Sequence, residues 1–183
     1  INKRIFLIVI LFCFLKIFPQ FDATNATLGG APYSNVNDAI TNAGVSNTIE
    51  LLRNINYGVV IHKTILFTSG AGGPYAIFKN GSSSDVFGVN VTNKASYVVI
   101  SNIIVSNWQN GIRILDAVNL SITNTRVTSC QITSNYHGIY AYRSYSNIIE
   151  YNTLTSNYQW NIYVTGGNNT LPDRGRINSN RIV

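Results

Sequence analysis

Gly88-Val89-Asn90-Val91, Gly111-Ile112-Arg113-Ile114 and Gly138-Ile139-Tyr140-Ala141 open three successive segments of this chain in the same way, and Asn161-Ile162-Tyr163-Val164 opens a fourth. The starts lie 23, 27 and 23 residues apart. Set in register from these starts, further columns emerge. Eleven residues on stand Val99, Ile122 and Ile149; fourteen on, Asn102, Thr125 and Asn152; sixteen on, Ile104, Val127 and Leu154; nineteen on, Asn107, Cys130 and Asn157. The fourth unit rejoins at Ile177, Asn180 and Ile182 after some five extra residues around 171–175.

Each unit holds short stretches of alternating apolar residues separated by polar turns, the pattern of short strands. No unit is long enough to bury its own apolar face, so the units must stack. Stacking sets each isoleucine or valine on its counterpart one rung away, at a strand spacing of about 4.8 Å. Asparagines at one turn position then hydrogen-bond along the stack, as amide ladders do in other stacked sheets. The opening glycine is expected to relieve a turn with positive φ. A β-sandwich also has strands every few residues, but it does not demand one residue class at one offset in four consecutive units. The expected fold is all-β, a right-handed parallel β-helix solenoid.

Working outward, a looser rung precedes the clear ones. Residues 48–52, 58–61 and 63–67 supply three strands, and residues 69–84, rich in glycine and serine, read as an excursion loop. Val36, Ala39, Ile40 and Ala43 share one helical face, with Asn35 placed to cap, Asp38 in the first turn and Gly44 to end the helix. This short helix is expected to cover the N-terminal end of the stack. At the other end the chain stops at Val183 with no cap, which predicts that the β-helix is truncated there and that further rungs follow. The expected division is a signal peptide over 1–26, an N-terminal segment and capping helix over 27–44, and a β-helix over 45–183, with clear repeats from 86.

The Gly-Ile openings and the Ile-x-x-Asn-x-Ile/Leu segments at 149–154 and 177–182 resemble the parallel β-helix repeats of the pectate-lyase-like superfamily. They are most similar to its carbohydrate-binding and sugar-hydrolase repeat group, which includes periplasmic NosD-type proteins. The resemblance is clear over 86–183 and weaker over 33–85. It implies the fold, and it leaves activity open between lyases, hydrolases, esterases, isomerases, adhesins and non-catalytic scaffolds.

Composition agrees with a regular, turn-rich protein. Of 183 residues, 45% are hydrophobic and 11% charged, and 25 asparagines carry much of the polarity. That apolar share argues against disorder. Lys3 and Arg4 precede the apolar run Ile5–Leu15, which as a helix spans only about 16 Å, too short for a bilayer. A basic start and a short apolar stretch read as a secretory signal, with Thr24 and Ala26 as the small residues before cleavage. The expected location is secreted or at the cell surface, with no stable membrane span. Without residues 1–26 the net charge falls from +6 to +4. The remaining bases are scattered and no nucleic-acid motif is present, so no nucleic-acid partner is expected. Cys130, the only cysteine beyond that segment, gives no disulfide framework and reads as a small buried hydrophobe. Oligomeric state is not readable.

Catalytic chemistry is thinly supported, and the catalytic residues are unknown. Glu50, Asp85, Asp116, Glu150 and Asp173 are the carboxylates of the β-helix, and Asp116 and Glu150 fall at different offsets on different strands. Glycoside hydrolysis wants two carboxylates about 5–10 Å apart, and a calcium-dependent lyase wants an acidic cluster beside a base. Neither pattern is visible. Arg174 and Arg176 beside Asp173 read as a polar protrusion on an inserted loop. His62, His137 and a chain without methionine offer no metal site, and no cofactor is expected. This departs from the copper role that resemblance to NosD-type proteins implies.

The positive signal is aromatic. Alternation points the residues one and three past each start inward and those two and four past outward. Outward positions therefore carry Asn90, Arg113, Tyr140 and Tyr163, then Thr92, Leu115, Tyr142 and Thr165, with Trp108, Tyr136, Tyr158 and Trp160 just before the starts. Tyr140, Tyr142 and Tyr163 form an aromatic patch with Arg113 and Arg143 nearby, a candidate carbohydrate-binding site for a polysaccharide partner. The same tyrosines also serve to stabilise neighbouring rungs by pairing across strands. Three readings stay open: an extracellular carbohydrate-binding β-helix, the N-terminal part of a polysaccharide lyase or glycoside hydrolase, and a structural spacer or adhesin. Asn25, Asn80, Asn90, Asn119 and Asn168 begin Asn-x-Ser/Thr sequences, which matter only in a host that glycosylates secreted proteins.

Overall fold

The computed structural model describes residues 24–79, 86–92, 95–115, 122–165 and 175–183. Residues 1–23, which make up most of the expected signal peptide, and the side chains of Asp85, Asp116 and Asp173 lie outside them. The chain opens with β1 (Ala26–Leu28) and β2 (Ala31–Tyr33), followed by helix α1 (Val36–Asn42). The first turn of the stack then runs through β3 (Asn47–Leu51) and β4 (Val59–Ile61), and the second through β5 (Ile65–Ser69), β6 (Ala76–Phe78) and β7 (Phe87–Val91). The third holds β8 (Val99–Ser101), β9 (Ile104–Ser106) and β10 (Asn110–Leu115). The fourth holds β11 (Ile122–Thr123), β12 (Arg126–Thr128), β13 (Gln131–Thr133) and β14 (His137–Tyr142). The fifth holds β15 (Ser144–Tyr145), β16 (Ile148–Glu150), β17 (Thr153–Thr155) and β18 (Trp160–Thr165), and β19 (Arg176–Asn178) and β20 (Arg181–Ile182) follow.

Strands at equivalent places pair in parallel across turns, which makes the fold the parallel β-helix that the repeats predict. The first sheet runs β3-β5-β8-β12-β16-β19, the second β6-β9-β13-β17-β20 and the third β4-β7-β10-β14-β18, with β11 and β15 paired at a corner. Each sheet contributes inward columns to one core. Ile49, Phe67, Ile100, Val127 and Ile149 stack in the first sheet. Ile77, Val105, Ile132 and Leu154 do so in the second. Val89, Ile112 and Ile139 do so in the third. All of these are fully buried. Each such side chain removed from water contributes about 1.5–3 kcal/mol.

The register corrects the columns counted from the glycines. Val99 shares a column with Arg126 and Ile148, not with Ile122 and Ile149, and Ile122 pairs with Ser144. Val105, Ile132 and Leu154 share a column, not Ile104, Val127 and Leu154. The extra residues of the 27-residue unit fall before β12. Residues 69–84 are not simply an excursion, since Ala76–Phe78 forms a strand paired with β9.

Glycine is required for a reason other than the one expected. Gly88, Gly111 and Gly138 are absent from the positive-φ residues. Instead, a Cβ on Gly111 would lie 2.7 Å from the Gly138 carbonyl oxygen, and one on Gly138 2.4 Å from that of Asn161. Backbone of the next rung occupies the space a side chain would need. The left-handed corners are held mostly by asparagine and serine: Asn102, Ser129, Tyr151 and Ser179 at one, Asn107, Ser134 and Ser156 at another.

Asparagines just past these corners form the expected ladders; Asn152 and Asn157 of the counted columns belong to them, joined by Asn135 and Asn180, while Asn102 and Asn107 sit on the corners themselves. The Cys130 N–H donates to Asn152 Oδ1 (3.0 Å) and the Asn152 N–H to Asn180 Oδ1 (3.0 Å), while Asn152 Nδ2 donates to the Val127 carbonyl (2.9 Å). At the next corner the Trp108 N–H donates to Asn135 Oδ1 (3.0 Å) and the Asn135 N–H to Asn157 Oδ1 (3.1 Å). Cys130 is buried as expected, and burial pushes its thiol up to about 12.

The N-terminal end is covered. Asn35 accepts the Asn37 N–H at the start of α1, and Val36, Ala39 and Ile40 face inward. The helix ends on Ala43, whose N–H donates to the Ile40 carbonyl, one residue before the expected glycine. Asn37 completes the edge of the third sheet: its Oδ1 accepts the Val60 N–H and its Nδ2 donates to the Gly58 carbonyl. β1 and β2 lie antiparallel on the edge of the first sheet. Ala26 is buried within β1, so cleavage after it would cut that strand.

Candidate functional site

The third sheet presents the residues that alternation turns outward. Asn90, Arg113, Tyr140 and Tyr163 occupy one column across β7, β10, β14 and β18. Leu115, Tyr142 and Thr165 occupy the next, and Phe87, Asn110, His137 and Trp160 the one before. Inward partners such as Ile139 and Ala141 are fully buried, so the direction of each outward side chain is fixed by the core behind it.

On β14 and β18 the outward side chains make a continuous aromatic array. Tyr140 and Tyr163 stack with centroids 5.3 Å apart, and Trp160 stacks on Tyr163 at 4.5 Å. His137 stacks on Trp160 at 4.9 Å and on Tyr140 at 5.6 Å, and meets the edge of Tyr136 at 4.7 Å. Tyr136 stacks on Tyr158 at 5.3 Å. His137 Nδ1 lies 2.9 Å from Asn110 Oδ1 and Nε2 2.7 Å from Gln159 Oε1, so the imidazole is pinned from both sides. The array stays open to solvent: Tyr136 is 41% exposed, Trp160 38% and Tyr158 82%.

Of the five residues singled out from the sequence, Tyr140 and Tyr163 are brought together directly. Tyr142 lies two residues along β14, with the Arg143 guanidinium 5.1 Å from its ring centre. Arg113 lies one rung before Tyr140 as its register partner. Its guanidinium sits 4.7 Å from the centre of the Phe87 ring, and its Nε donates to Asn90 Oδ1 at 2.8 Å. Burial draws this guanidinium below its ordinary value, and the nearby Tyr140 hydroxyl opposes that.

Trp108, noted just before the second start, stands apart from the aromatic array. It is 2% exposed, and its Nε1 donates to the Ile77 carbonyl at 3.0 Å. Asn107, in the left-handed conformation, turns Trp108 into the inward slot that Asn135 and Asn157 fill on later rungs. His137, set aside in the sequence, is central to the array. Its place directly before Gly138, like Asn110 before Gly111, was the available signal.

The described carboxylates do not converge. Glu50 and Glu150 share a column of the first sheet, four rungs apart, or about 19 Å. That exceeds the separation used in glycoside hydrolysis. Glu150 is buried and bound by Arg126 and by Arg176, so Arg176 serves the first sheet instead of a loop. Asn25 and Asn90, the glycosylation-type asparagines that are described, are engaged by Ser34 and Arg113.

A family model described as periplasmic copper-binding protein (NosD) matches residues 18–182. The chain belongs to the NosD family. Comparison with curated proteins and with solved structures gives no match. NosD members are described as periplasmic, in keeping with the expected export. No helix among the described residues is long and apolar enough to cross a membrane.

The donors of this NosD-family chain do not fit a copper centre. Copper favours clustered thiolate, thioether or imidazole ligands, and the chain has two histidines, two cysteines and no methionine. Among the described residues no group of three or more His, Cys, Asp or Glu side chains converges. His62 follows β4 and His137 opens β14, three rungs and several residues apart, which separates them by about 20 Å. Cys130 is buried with its thiol held protonated.

Proposed function

We propose that this protein is a non-catalytic, exported glycan-binding β-helix whose ligand lies across the outer face of the third sheet. The reading rests on one observation, the continuous aromatic array of Tyr136, His137, Tyr140, Tyr158, Trp160 and Tyr163. Ring stacking fixes these side chains before any ligand arrives, which lowers the entropy lost on binding. Sugars combine apolar C–H faces with hydroxyls. A face that mixes aromatic rings, phenol hydroxyls and amides matches both. Tyr140 and Tyr163 turn their faces to each other, so a sugar meets their edges and hydroxyls. The open ring surface is that of the more exposed Tyr158 and Trp160. Copper has no place in this reading, because the donor set does not fit it.

The test is binding of the protein to a panel of neutral and acidic polysaccharides, with the Tyr140→Ala/Tyr163→Ala double variant beside it. Saturable binding to at least one polymer, lost in the variant at unchanged circular dichroism, supports the proposal. No binding to any polymer, or binding indifferent to the double substitution, sinks it.

The stacking of Tyr140 on Tyr163 also favours a second reading, a structural spacer in which the rings stabilise neighbouring rungs. Loss of stability in the double variant without any glycan binding identifies that case.

A further inference from the structure

Arg113 is built differently from Arg126 and Arg176 of the first sheet. Arg126 and Arg176 are committed to Glu150. Arg113 lies over Phe87 and donates its Nε–H to Asn90 Oδ1. Among the described residues no carboxylate forms an ion pair with it. The ring and the amide hold the planar fork in one orientation, and a guanidinium so held loses little freedom when it takes a carboxylate through two parallel N–H···O bonds. Half-buried, it is screened less by salt than a charge on a free side chain.

Its position is as informative as its posture. Arg113 is the register partner of Tyr140 and shares its outward column with Tyr163. A cation therefore stands one strand spacing, about 4.8 Å, from the start of the aromatic array. Beyond Tyr140 on the same strand, Arg143 lies over Tyr142, so a second guanidinium borders the array. Without residues 1–26 the chain keeps a formal charge of +4, which draws an anionic polymer toward it at long range.

We infer that the glycan bound on this face is an anionic one, a polymer of carboxylated sugars, with the carboxylate of one residue held by Arg113 while neighbouring sugars meet the edges and hydroxyls of Tyr140 and Tyr163. This deepens the proposed function and rests on it. The alternative use of the same guanidinium, a rivet that only ties β10 to β7 through Phe87 and Asn90, predicts no dependence on ligand charge.

The experiment measures dissociation constants for alginate, polygalacturonate and hyaluronate, each before and after chemical reduction of its carboxylates to hydroxymethyl groups. Native protein is compared with Arg113→Gln, Arg113→Lys and the charge-matched control Arg181→Gln on the second sheet. The expected result is that at least one acidic polymer binds and that reducing it weakens binding at least about tenfold, the scale of one charge-assisted contact. Arg113→Gln should weaken the acidic form by a similar factor and leave the reduced form unchanged, and Arg113→Lys should recover only part. Equal binding of acidic and reduced forms overturns the inference while leaving the glycan-binding reading intact. Equal losses in Arg113→Gln and Arg181→Gln overturn it too, by assigning the effect to net charge. Failure of every polymer in both forms removes the glycan-binding reading itself.

Discussion

Tyr140 and Tyr163 stand one above the other on adjacent rungs, ring centroids 5.3 Å apart and planes 12° from parallel. The rise of the stack, and not a dedicated loop, sets that spacing. Ile139 and Ile162 pair behind them in the core sheet, and each ring is carried outward by the residue next to its isoleucine. The candidate site is thus a by-product of register, and whatever maintains register maintains the site.

Register depends on close approach at the opening glycines. Gly111→Ala and Gly138→Ala each force a Cβ against the carbonyl oxygen of the next rung, 2.7 and 2.4 Å away as the backbone stands. Since backbone is the obstacle, relief requires moving a strand. Each substitution should lower unfolding free energy by about 1–3 kcal/mol, read from the denaturant midpoint. A midpoint unchanged in either variant would show that the rungs are free to separate there.

Register also depends on the corner amides. Asn152→Ala leaves the Cys130 N–H and the Val127 carbonyl without their side-chain partner in the interior. Each orphaned group costs about 1–3 kcal/mol, so this variant should unfold at markedly lower urea than Asn56→Ala, at an exposed position of the first turn. Equal midpoints would remove the ladder from the account of stability.

Much of this architecture was legible in the sequence and part of it was not. The Gly-Ile openings, the outward tyrosines and the capping helix were readable because stacking forces one residue class onto one offset. The later columns slipped because valine, isoleucine and leucine are interchangeable inside such a stack. Counting from Gly111 through the longer unit still landed on aliphatic residues, such as Ile122 in place of Arg126. Trp108 stands apart from the array for a conformational reason. The left-handed Asn107 reverses the side on which the next residue falls, and the matching pairs Ser134-Asn135 and Ser156-Asn157 reveal this only once aligned. His137 was set aside because it was weighed only as a metal ligand, although its place before Gly138 was visible. Its role comes from neighbours on the next rung.

The Cys130 thiol titrates far from its ordinary range. Its value rises from 9.0 to about 12 because the charged form would be buried. The folded protein therefore holds this proton more tightly than the unfolded chain, and stability falls as pH climbs from 9 toward 12. The slope in that window should be steeper than that of Cys130→Ala by up to about 1.4 kcal/mol per pH unit, with no difference below it. Parallel stability curves for the two proteins above pH 9 would show that the thiol is hydrated.

The donor set predicts weak handling of copper despite the family's description. In competition with a Cu(I) chelator at neutral pH, the protein should retain no stoichiometric metal, and His62→Ala/His137→Ala should behave like the parent. One tightly held equivalent, lost in that double variant, would contradict the geometry of the two histidines.

The most direct test of the glycan-binding face uses its own chromophore. Trp160 lies in the array and is exposed, whereas Trp108 is buried in the core. Titration with a polysaccharide that binds the protein should change tryptophan emission in a saturable way, and Trp160→Phe should abolish the change while the signal of Trp108 persists. Saturable binding that leaves Trp160 emission untouched would place the ligand elsewhere on the β-helix and contradict the account.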